Sequence, residues 1–405
     1  MKRASIVIAA AAIIVTIAMG VRQAFGLFLP DMSAGLGIGR SSFGLALAIQ
    51  NLLFGLVQPF VGALGDKHGA GRVVAVGTLV YIVGLIGASL ATNAVGLHLS
   101  FGVLVGMALS ATTFVVVLGA VGRAVPAEKR SMAFGIVTAG GSLGQFLLVP
   151  TGQLLIGELG WRLALVAMAG IVAVMFVLAI GVAGKPAVQT ARGDAPTQSL
   201  KEALREAAGH RGFWLLNAGF FVCGFHIAFI ATHFPAYLTD KGLGLSIGAN
   251  ALALVGLFNI FGSYLFGVWG DKRSKKYLLS TLYAARSVVM IAFLAAPLTP
   301  FTALAFAAAM GFLWLGTVPL TSGLIGQIFG IRYLSTLYGI VFLSHQVGSF
   351  FGAWLAGLMF DLTGSYDSIW IASVALGFMA ALVHMPIPDR PVPRLRETQV
   401  KVVAT

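Results

Sequence analysis

The chain has 405 residues, of which 58% are hydrophobic and only 10% are charged, and its mean hydropathy is +0.95. Soluble domains carry roughly a quarter charged residues, so this composition excludes an ordinary soluble protein and indicates that lipid solvates most of the chain. The net charge of +13 does not indicate nucleic-acid binding, because the basic residues lie between apolar runs rather than on one face.

Twelve apolar runs are predicted to span a membrane as helices. The first six fall at 5–29, 43–64, 73–91, 97–121, 133–156 and 163–182. The other six fall at 213–237, 248–269, 277–296, 301–328, 337–360 and 369–385. The expected organisation is an N-terminal six-helix bundle at 1–183, a cytoplasmic linker at 184–211, a C-terminal six-helix bundle at 212–386 and a cytoplasmic tail at 387–405.

The first run is expected to be a membrane helix rather than a signal peptide, because its apolar core is too long. Orientation is predicted from the basic residues, which concentrate in cytoplasmic loops. With the N-terminus in the cytoplasm, only Arg40, Arg162 and Lys241 fall on the outer side. Both termini are then cytoplasmic, which requires an even number of spans. Short loops suggest a multi-pass protein of a bacterial inner membrane, and a monomer is expected.

Two stretches of the first half return in the second half. Gly65-Asp66-Lys67 returns as Gly270-Asp271-Lys272, 205 positions later, and Phe134-Gly135-Ile136-Val137 returns as Tyr338-Gly339-Ile340-Val341, 204 positions later. Two separate matches at nearly one offset indicate parallel copies of a six-helix unit. Parallel repeats of this kind occur in secondary transporters, whose substrate site lies between the halves near mid-membrane.

The segment Gly62-Ala63-Leu64-Gly65-Asp66-Lys67-His68-Gly69-Ala70-Gly71-Arg72 resembles the loop signature of the major facilitator superfamily between its second and third helices. The resemblance implies an all-α membrane protein with twelve transmembrane helices in two pseudo-symmetric six-helix bundles, the major facilitator fold. It also implies a conformational latch on the cytoplasmic side. The latch residues would be Asp66, Lys67 and Arg72, with Asp271 and Lys272 as a second copy; the alternative is that these are solvated turn charges.

Two basic residues are placed well inside predicted spans, Arg22 and Arg286, whereas every acidic residue can be placed in a loop or near a helix end. A charge within a span is costly and therefore a functional hypothesis. An unpaired base that faces a cavity attracts an anion. Arg22, followed by Phe25 and Phe28, is the predicted substrate contact, while Arg286 on the ninth helix is assigned a structural or snorkelling role.

His226 and His233 lie two helical turns apart on the seventh predicted helix, so both can face one side. His226 also matches Arg22 at the repeat offset. Because histidine titrates near neutral pH, the pair are candidates for substrate binding and proton coupling. The alternative for each ring is a structural hydrogen bond to a carbonyl.

Further polar groups are placed in spans and are candidates either for the site or for interhelical hydrogen bonds. They are Gln50, Asn51, Gln145, Asn259, Ser263, His345 and Gln346. Phe342 is an aromatic candidate for the cavity wall, with helix packing as the alternative.

Within the superfamily the chain is most similar to the monocarboxylate-porter and oxalate:formate-antiporter group. The features that carry this similarity are the base of the first helix with the aromatic residues after it, Ala139-Gly140 with Pro150, and Tyr338-Gly339. The resemblance implies that Arg22, His233, Asn259 and His345 hold a carboxylate. The chain departs from the group at Ser263, where an arginine is typical.

The sequence thus predicts a secondary active transporter for a small organic anion, a monocarboxylate first of all, that works by rocker-switch alternating access. Proton symport and anion exchange both stay open as coupling modes. The alternatives are an efflux pump for lipophilic drugs or metabolites and, further off, a transporter-like sensor. No nucleotide-binding loop or catalytic set occurs, so neither an enzyme nor a cofactor is expected, and Cys223 offers no metal-thiolate spacing.

Overall fold

The computed structural model describes residues 2–124, 127–183, 198–330 and 334–394, and within these ranges every regular element is helical. The N-terminal half contains six membrane-length helices. α1 comprises Lys2–Gln23, a 3-10 turn Phe25–Phe28 and Leu29–Leu36; α2 is Arg40–His68; α3 is Ala70–Ser89; α4 comprises Ala94–Leu97, a π-helical segment His98–Leu104, Val105–Thr112 and Phe114–Ala124. α5 and α6 share the tract Ala127–Leu178, which breaks at Gly160 into 127–159 and 161–178.

The C-terminal half follows a short linker helix, Leu200–Ala208. Its six long helices are α7, Arg211–Asp240; α8, Leu245–Lys272; α9, Lys275–Ala295; α10, in two parts, Pro300–Phe312 and Thr317–Phe329; α11, Leu334–Thr363; and α12, Asp367–His384. By length and composition the described residues hold eleven candidate spans, one of which is the tract that contains both α5 and α6. Gly160 has a φ of 74°, which ends α5, so α5 and α6 cross separately and the predicted twelve-helix, all-α fold is confirmed.

Each half has its own hydrophobic core, and the repeat is visible in how each core is built. In the N-terminal half α1 packs along α5, and in the C-terminal half α7 packs along α11. Gly144 and Gly348, which match at the repeat offset, lie at these two crossings. A Cβ on Gly144 would overlap the carbonyl oxygen of Thr16, and one on Gly348 would overlap that of Phe221. Both crossings therefore depend on a residue without a side chain, as is common between membrane helices.

The halves meet through α2 against α11 and α5 against α8, with the 3-10 turn of α1 against α7. We call the side of the bundle that carries the linker helix the linker side and the opposite one the far side. On the far side α2 and α11 touch backbone to backbone, because a Cβ on Gly44 would overlap Ala353 and one on Gly357 would overlap Arg40. The far side is closed.

Toward the linker side the same helix pairs separate. Thr138 lies two turns from the buried Gln145 on one face of α5 and is exposed. On α11, Gly339 lies two turns from the buried Gln346, is exposed, and has no atom within 4 Å of the place where a Cβ would lie. The space between the halves therefore opens toward the linker side.

The last described residues, 385–394, cross the linker side of the C-terminal half, and we call them the tail strap. Their contacts include Lys276 Nζ to Asp389 Oδ1 (3.4 Å), Val392 N donating to Ile328 O (2.9 Å) and Arg394 to Glu206 Oε2 (3.4 Å). Glu206 belongs to the linker helix, which begins with a capping box: Ser199 N donates to Glu202 Oε2 at 2.6 Å and lowers the pKa of that carboxyl. The tail strap thus joins the linker to the C-terminal bundle.

Candidate functional site

Arg22 lies near the middle of the bundle, where α1 faces α2 and the space between the halves. Its side chain is partly accessible, one terminal nitrogen donates to Asn51 Oδ1 at 2.5 Å, and its guanidinium carbon is 5.6 Å from the centre of the Phe54 ring. Its Nε is buried and has no hydrogen-bond partner among the residues that the structure describes. The guanidinium therefore retains an unused donor next to an aromatic face.

The C-terminal half contributes the opposite wall through α11. Gln346 Nε2 donates to the backbone oxygen of Asn51 at 2.8 Å, so the residue that holds Arg22 also joins the two halves. Gln346 Oε1 lies 2.9 Å from Nδ1 of His345. The imidazole ring of His345 stacks on Phe342, with ring centres 5.5 Å apart, and Phe342 meets Phe54 edge-on at 6.1 Å. The wall near Arg22 is thus aromatic with a few polar groups.

A second set of polar contacts crosses the halves where α5 meets α8. Gln23 Nε2 donates to Gln145 Oε1 at 3.2 Å, and Gln145 Nε2 donates to Leu252 O at 2.8 Å. Farther toward the linker side, Asn259 Nδ2 donates to Ser142 Oγ at 3.1 Å. These contacts enclose the mid-membrane space on the side opposite to α2 and α11.

The electrostatic character of this space is positive. The described groups that contact the Arg22 guanidinium are neutral, an amide oxygen and a phenyl ring. The ion pairs between described residues lie elsewhere: Arg40 with Asp240 on the far side, and Lys276 and Arg394 with their acids on the linker side. A cation without a neutralising acid in a low-dielectric cavity attracts an anion.

Three of the other sequence-predicted site residues lie where the two halves face each other, and a fourth, Phe28, lies within one half. Phe342 and His345 lie on the α11 wall described above, and Asn259 lies between α8 and α5. The oxygen of Asn259 accepts hydrogen bonds from Leu315 N (3.0 Å) and Ser263 Oγ (3.0 Å), so both acceptor positions of its amide oxygen are occupied in this conformation. Phe28 is fully buried in the N-terminal core, and its role in substrate binding stays a prediction.

The two histidines of α7 lie apart from Arg22. His226 is fully buried and its Nε2 contacts Ser373 O of α12 at 2.8 Å, which places the ring inside the C-terminal half. His233 lies toward the far side, with Nδ1 3.1 Å from Tyr366 Oη and Nε2 2.7 Å from Ala353 O. Both rings use the structural hydrogen bonds that were the alternative in the sequence analysis, and a role in proton coupling stays a prediction.

Arg286 occupies the break between the two parts of α10. Its guanidinium donates to the carbonyl oxygens of Leu313 (2.7 Å) and Trp314, which the break leaves without helical partners. It also contacts Cys223 Sγ at 3.5 Å. This arrangement agrees with a structural role for Arg286.

The predicted latch is only partly described. Arg72 and Lys272 are exposed at the linker side. The side chains of Asp66, Lys67 and Asp271 lie outside the described residues. The latch therefore stays a prediction. Among the described residues no group of three or more His, Cys, Asp and Glu could share a metal ion.

Sequence reasoning missed the pairing of Arg22 with Asn51 and Phe54. Asn51 was recognised only as one of several polar residues in spans, and Phe54 was not singled out. It also missed the partners of Arg40, because Asp240 and Asp361 are distant in sequence. The available signal was weak: a base on the outer side and two acids at the ends of predicted helices.

Comparison with known proteins places the chain in a large group. A family model described as Major Facilitator Superfamily matches residues 11–343. Among curated proteins, an uncharacterized MFS-type transporter of Bacillus subtilis (strain 168), YcxA, is 26% identical, with 91% of each chain covered. Monocarboxylate transporter 13 of Rattus norvegicus is 26% identical (91% of this chain, 85% of the relative), as is monocarboxylate transporter 11 of Homo sapiens (94% and 82%).

Solved structures give the same fold. The structure of a bacterial homolog of the human lysosomal transporter Spinster, in an inward-facing and unoccupied conformation, superposes with a TM-score of 0.75. It is 16% identical and covers 96% of this chain and 99% of that chain.

Proposed function

Because the chain belongs to the Major Facilitator Superfamily, we propose that it is a secondary active transporter that carries a small organic anion, a monocarboxylate first of all, through the cavity beside Arg22. The fold and the named relatives support transport as the general activity. The substrate class is inferred from the residues beside the cavity.

The environment of Arg22 is the main support for an anionic substrate. Arg22 is partly accessible, its buried Nε has no partner among the described residues, and the described groups that contact its guanidinium are neutral. A carboxylate matches the planar fork of a guanidinium and makes charge-assisted hydrogen bonds to it. Phe54 and Phe342 provide an apolar surface for the remainder of a small organic acid. A site of this kind favours an anion with a short apolar part.

The charge of the substrate follows from the number of cations. Of the two bases well inside the described spans, Arg22 is partly accessible, whereas Arg286 is fully buried with its donors on Leu313, Trp314 and Cys223. A second negative charge would therefore enter the cavity without a cationic partner, which is costly in a low-dielectric site. A monocarboxylate fits better than a dicarboxylate.

The transport step is alternating access by rocking of the two bundles, 1–183 against 212–386. The conformation in hand is closed on the far side and open toward the linker side, and the basic residues of the linker side favour a cytoplasmic location for it. In this orientation both termini are cytoplasmic, the cavity faces inward, and the chain works as a monomer in a bacterial inner membrane. Proton symport and anion exchange are both compatible with the cavity.

Uptake into liposomes tests the proposal. The purified protein is reconstituted and offered labelled lactate, pyruvate, acetate and succinate, with and without an inward proton gradient. We expect uptake of a monocarboxylate, and loss of at least 90% of the rate in Arg22→Gln, because charge-assisted hydrogen bonds are worth about 1.5–3 kcal/mol. Lys241→Gln, which removes an exposed base from the far side, is the matched control and should transport normally.

The result also decides between the alternatives. If no organic anion moves, or if Arg22→Gln transports as well as the wild type, the anion site is wrong. Efflux of lipophilic compounds along the aromatic wall then becomes the leading hypothesis. Stimulation by the proton gradient indicates symport, whereas stimulation by internal anion alone indicates exchange.

A further inference from the structure

Arg40 begins α2 on the far side and bridges the two halves. Its guanidinium makes two hydrogen bonds to the carboxylate of Asp240 at the end of α7, at 2.5 and 2.6 Å, and lies 3.8 Å above the ring of Phe360 on α11. One of its nitrogens also donates to Tyr366 Oη at 2.9 Å. The same hydroxyl contacts His233, so the arginine is held from α7, α11 and the start of α12 together.

Asp361 of α11 caps the first turn of α2 from the other half of the protein. Its two carboxylate oxygens accept hydrogen bonds from Arg40 N (2.9 Å) and Ser41 N (2.8 Å). The residue before α2 is Gly39, which has no side chain to provide a cap. The first N–H groups of a helix lack partners within the helix and attract negative charge. A capping carboxylate from the N-terminal half would not connect the two halves. Because Asp361 belongs to the C-terminal half, its capping bonds to α2 connect them.

The two halves approach closely around this link, with no room for a Cβ at two of the glycines. A Cβ on Gly39 would overlap Oδ2 of Asp361, and one on Gly357 would overlap the carbonyl of Arg40. The capping bonds therefore require that α2 contacts α11 at the far side, and the ion pair requires that it also lies against the end of α7. Separation of the halves there breaks all of these bonds in one movement.

We propose that Arg40, Asp240 and Asp361 form the far-side gate of the transporter, and that the cap supplied by Asp361 makes the start of α2 sensitive to whether the gate is closed. Tyr366 and His233 orient the guanidinium for this contact. The inference rests on the alternating access of the proposed function but not on its substrate, so it holds or fails whether or not an anion is carried.

Spin–spin distance measurements on the full chain in lipid nanodiscs test the gate. Cys223→Ser removes the one cysteine, and spin labels are placed on the far side at Ala34→Cys and Leu362→Cys, which are exposed positions in different halves. Arg40→Ala, Asp240→Ala and Asp361→Ala should each raise the population with a long far-side distance several-fold. Glu158→Gln, a change to another exposed acid, is the matched control and should leave the distances unchanged.

A second variant separates gating from simple helix capping. Asp361→Ala frees the space in front of Gly39, whose extended backbone (φ −68°, ψ 161°) suits a capping serine. In Asp361→Ala with Gly39→Ser, we expect recovery of the thermal midpoint but a far-side distance that stays long. The proposal is overturned if the single variants keep the short distance, or if the serine cap alone restores it. The readout needs no substrate, so it is independent of the uptake assay.

Discussion

Asn259 and Gly55 occupy matching positions of the two halves, 204 residues apart, yet each faces a partner of the opposite size. Asn259 on α8 meets the small Ser142 on α5, whereas Gly55 on α2 meets the long Gln346 on α11. Ser142 and Gln346 are themselves related by the same offset. Each crossing between the halves therefore combines one large and one small residue. The large residue is on α8 where α8 meets α5, and on α11 where α2 meets α11.

This exchange predicts the outcome of swapping the pair. A Cβ on Gly55 would lie 2.7 Å from Cγ of Gln346, so Gly55→Asn should destabilise the protein by about 1–3 kcal/mol through overpacking. Gly55→Asn combined with Gln346→Ser reproduces the other crossing and should recover most of the loss. Thermal unfolding in nanodiscs provides the comparison, and a double variant no better than Gly55→Asn would contradict the argument. Gly339→Ala, at an open position of α11, is the control and should not destabilise.

Asn51→Asp should strongly impair anion transport while the fold is kept. The new carboxylate would replace the amide oxygen that lies 2.5 Å from the Arg22 guanidinium, and would neutralise the charge that attracts the substrate. We expect kcat/KM to fall by at least about tenfold, a loss of 1.4 kcal/mol. Asn51→Ala removes the acceptor without adding a charge and should retain more activity. Equal activities for the two variants would show that the charge of Arg22 is not used.

Arg286→Leu should lower stability, because the carbonyls of Leu313 and Trp314 would lose their donor within the bundle. An unsatisfied buried carbonyl costs about 1–3 kcal/mol, so a large fall in the thermal midpoint is expected. Arg286→Lys keeps a donor and should fall less. An unchanged midpoint in Arg286→Leu would mean that water or a rearranged α10 replaces the guanidinium.

Gly160→Ala should also destabilise the protein, because the break between α5 and α6 needs a φ of 74°. With a ψ of 161° this conformation is populated almost only by glycine, and a residue with a Cβ there costs about 1–3 kcal/mol. Gly157→Ala, three residues earlier within the helix and with no atom near the added Cβ, provides the matched control and should be neutral or stabilising. The two thermal midpoints measured side by side check the difference.

The fold was predictable from the sequence because its determinants are local or periodic. Apolar run length gave the helices, and the offset between Gly65 and Gly270 indicated the two halves. The site was predictable only in part. Arg22 was found because a charge in a span is rare, but the pairing with Asn51 depends on how α1 and α2 rotate against each other. No pattern in the chain specifies that rotation.

The far-side gate illustrates the same limit at longer range. Arg40 meets Asp240 and Asp361 across separations of 200 and 321 residues. Many charged residues lie near helix ends, and the sequence alone does not indicate which of them face each other. The orientation of His226 was similarly undetermined, since its carbonyl partner, Ser373, is supplied by α12.

The tail strap gives the chain a dependence on the order of synthesis. Arg394 reaches Glu206 of the linker helix, which leaves the ribosome 188 residues earlier. Until the residues that follow α12 have been synthesised, the linker helix lacks this contact and Lys276 at the start of α9 lacks Asp389. A nascent chain truncated within α12 would therefore lack the contact between Arg394 and the linker helix, and Lys276 would lack its acidic partner. The contacts of the linker helix are thus completed only after residues 385–394 have been synthesised.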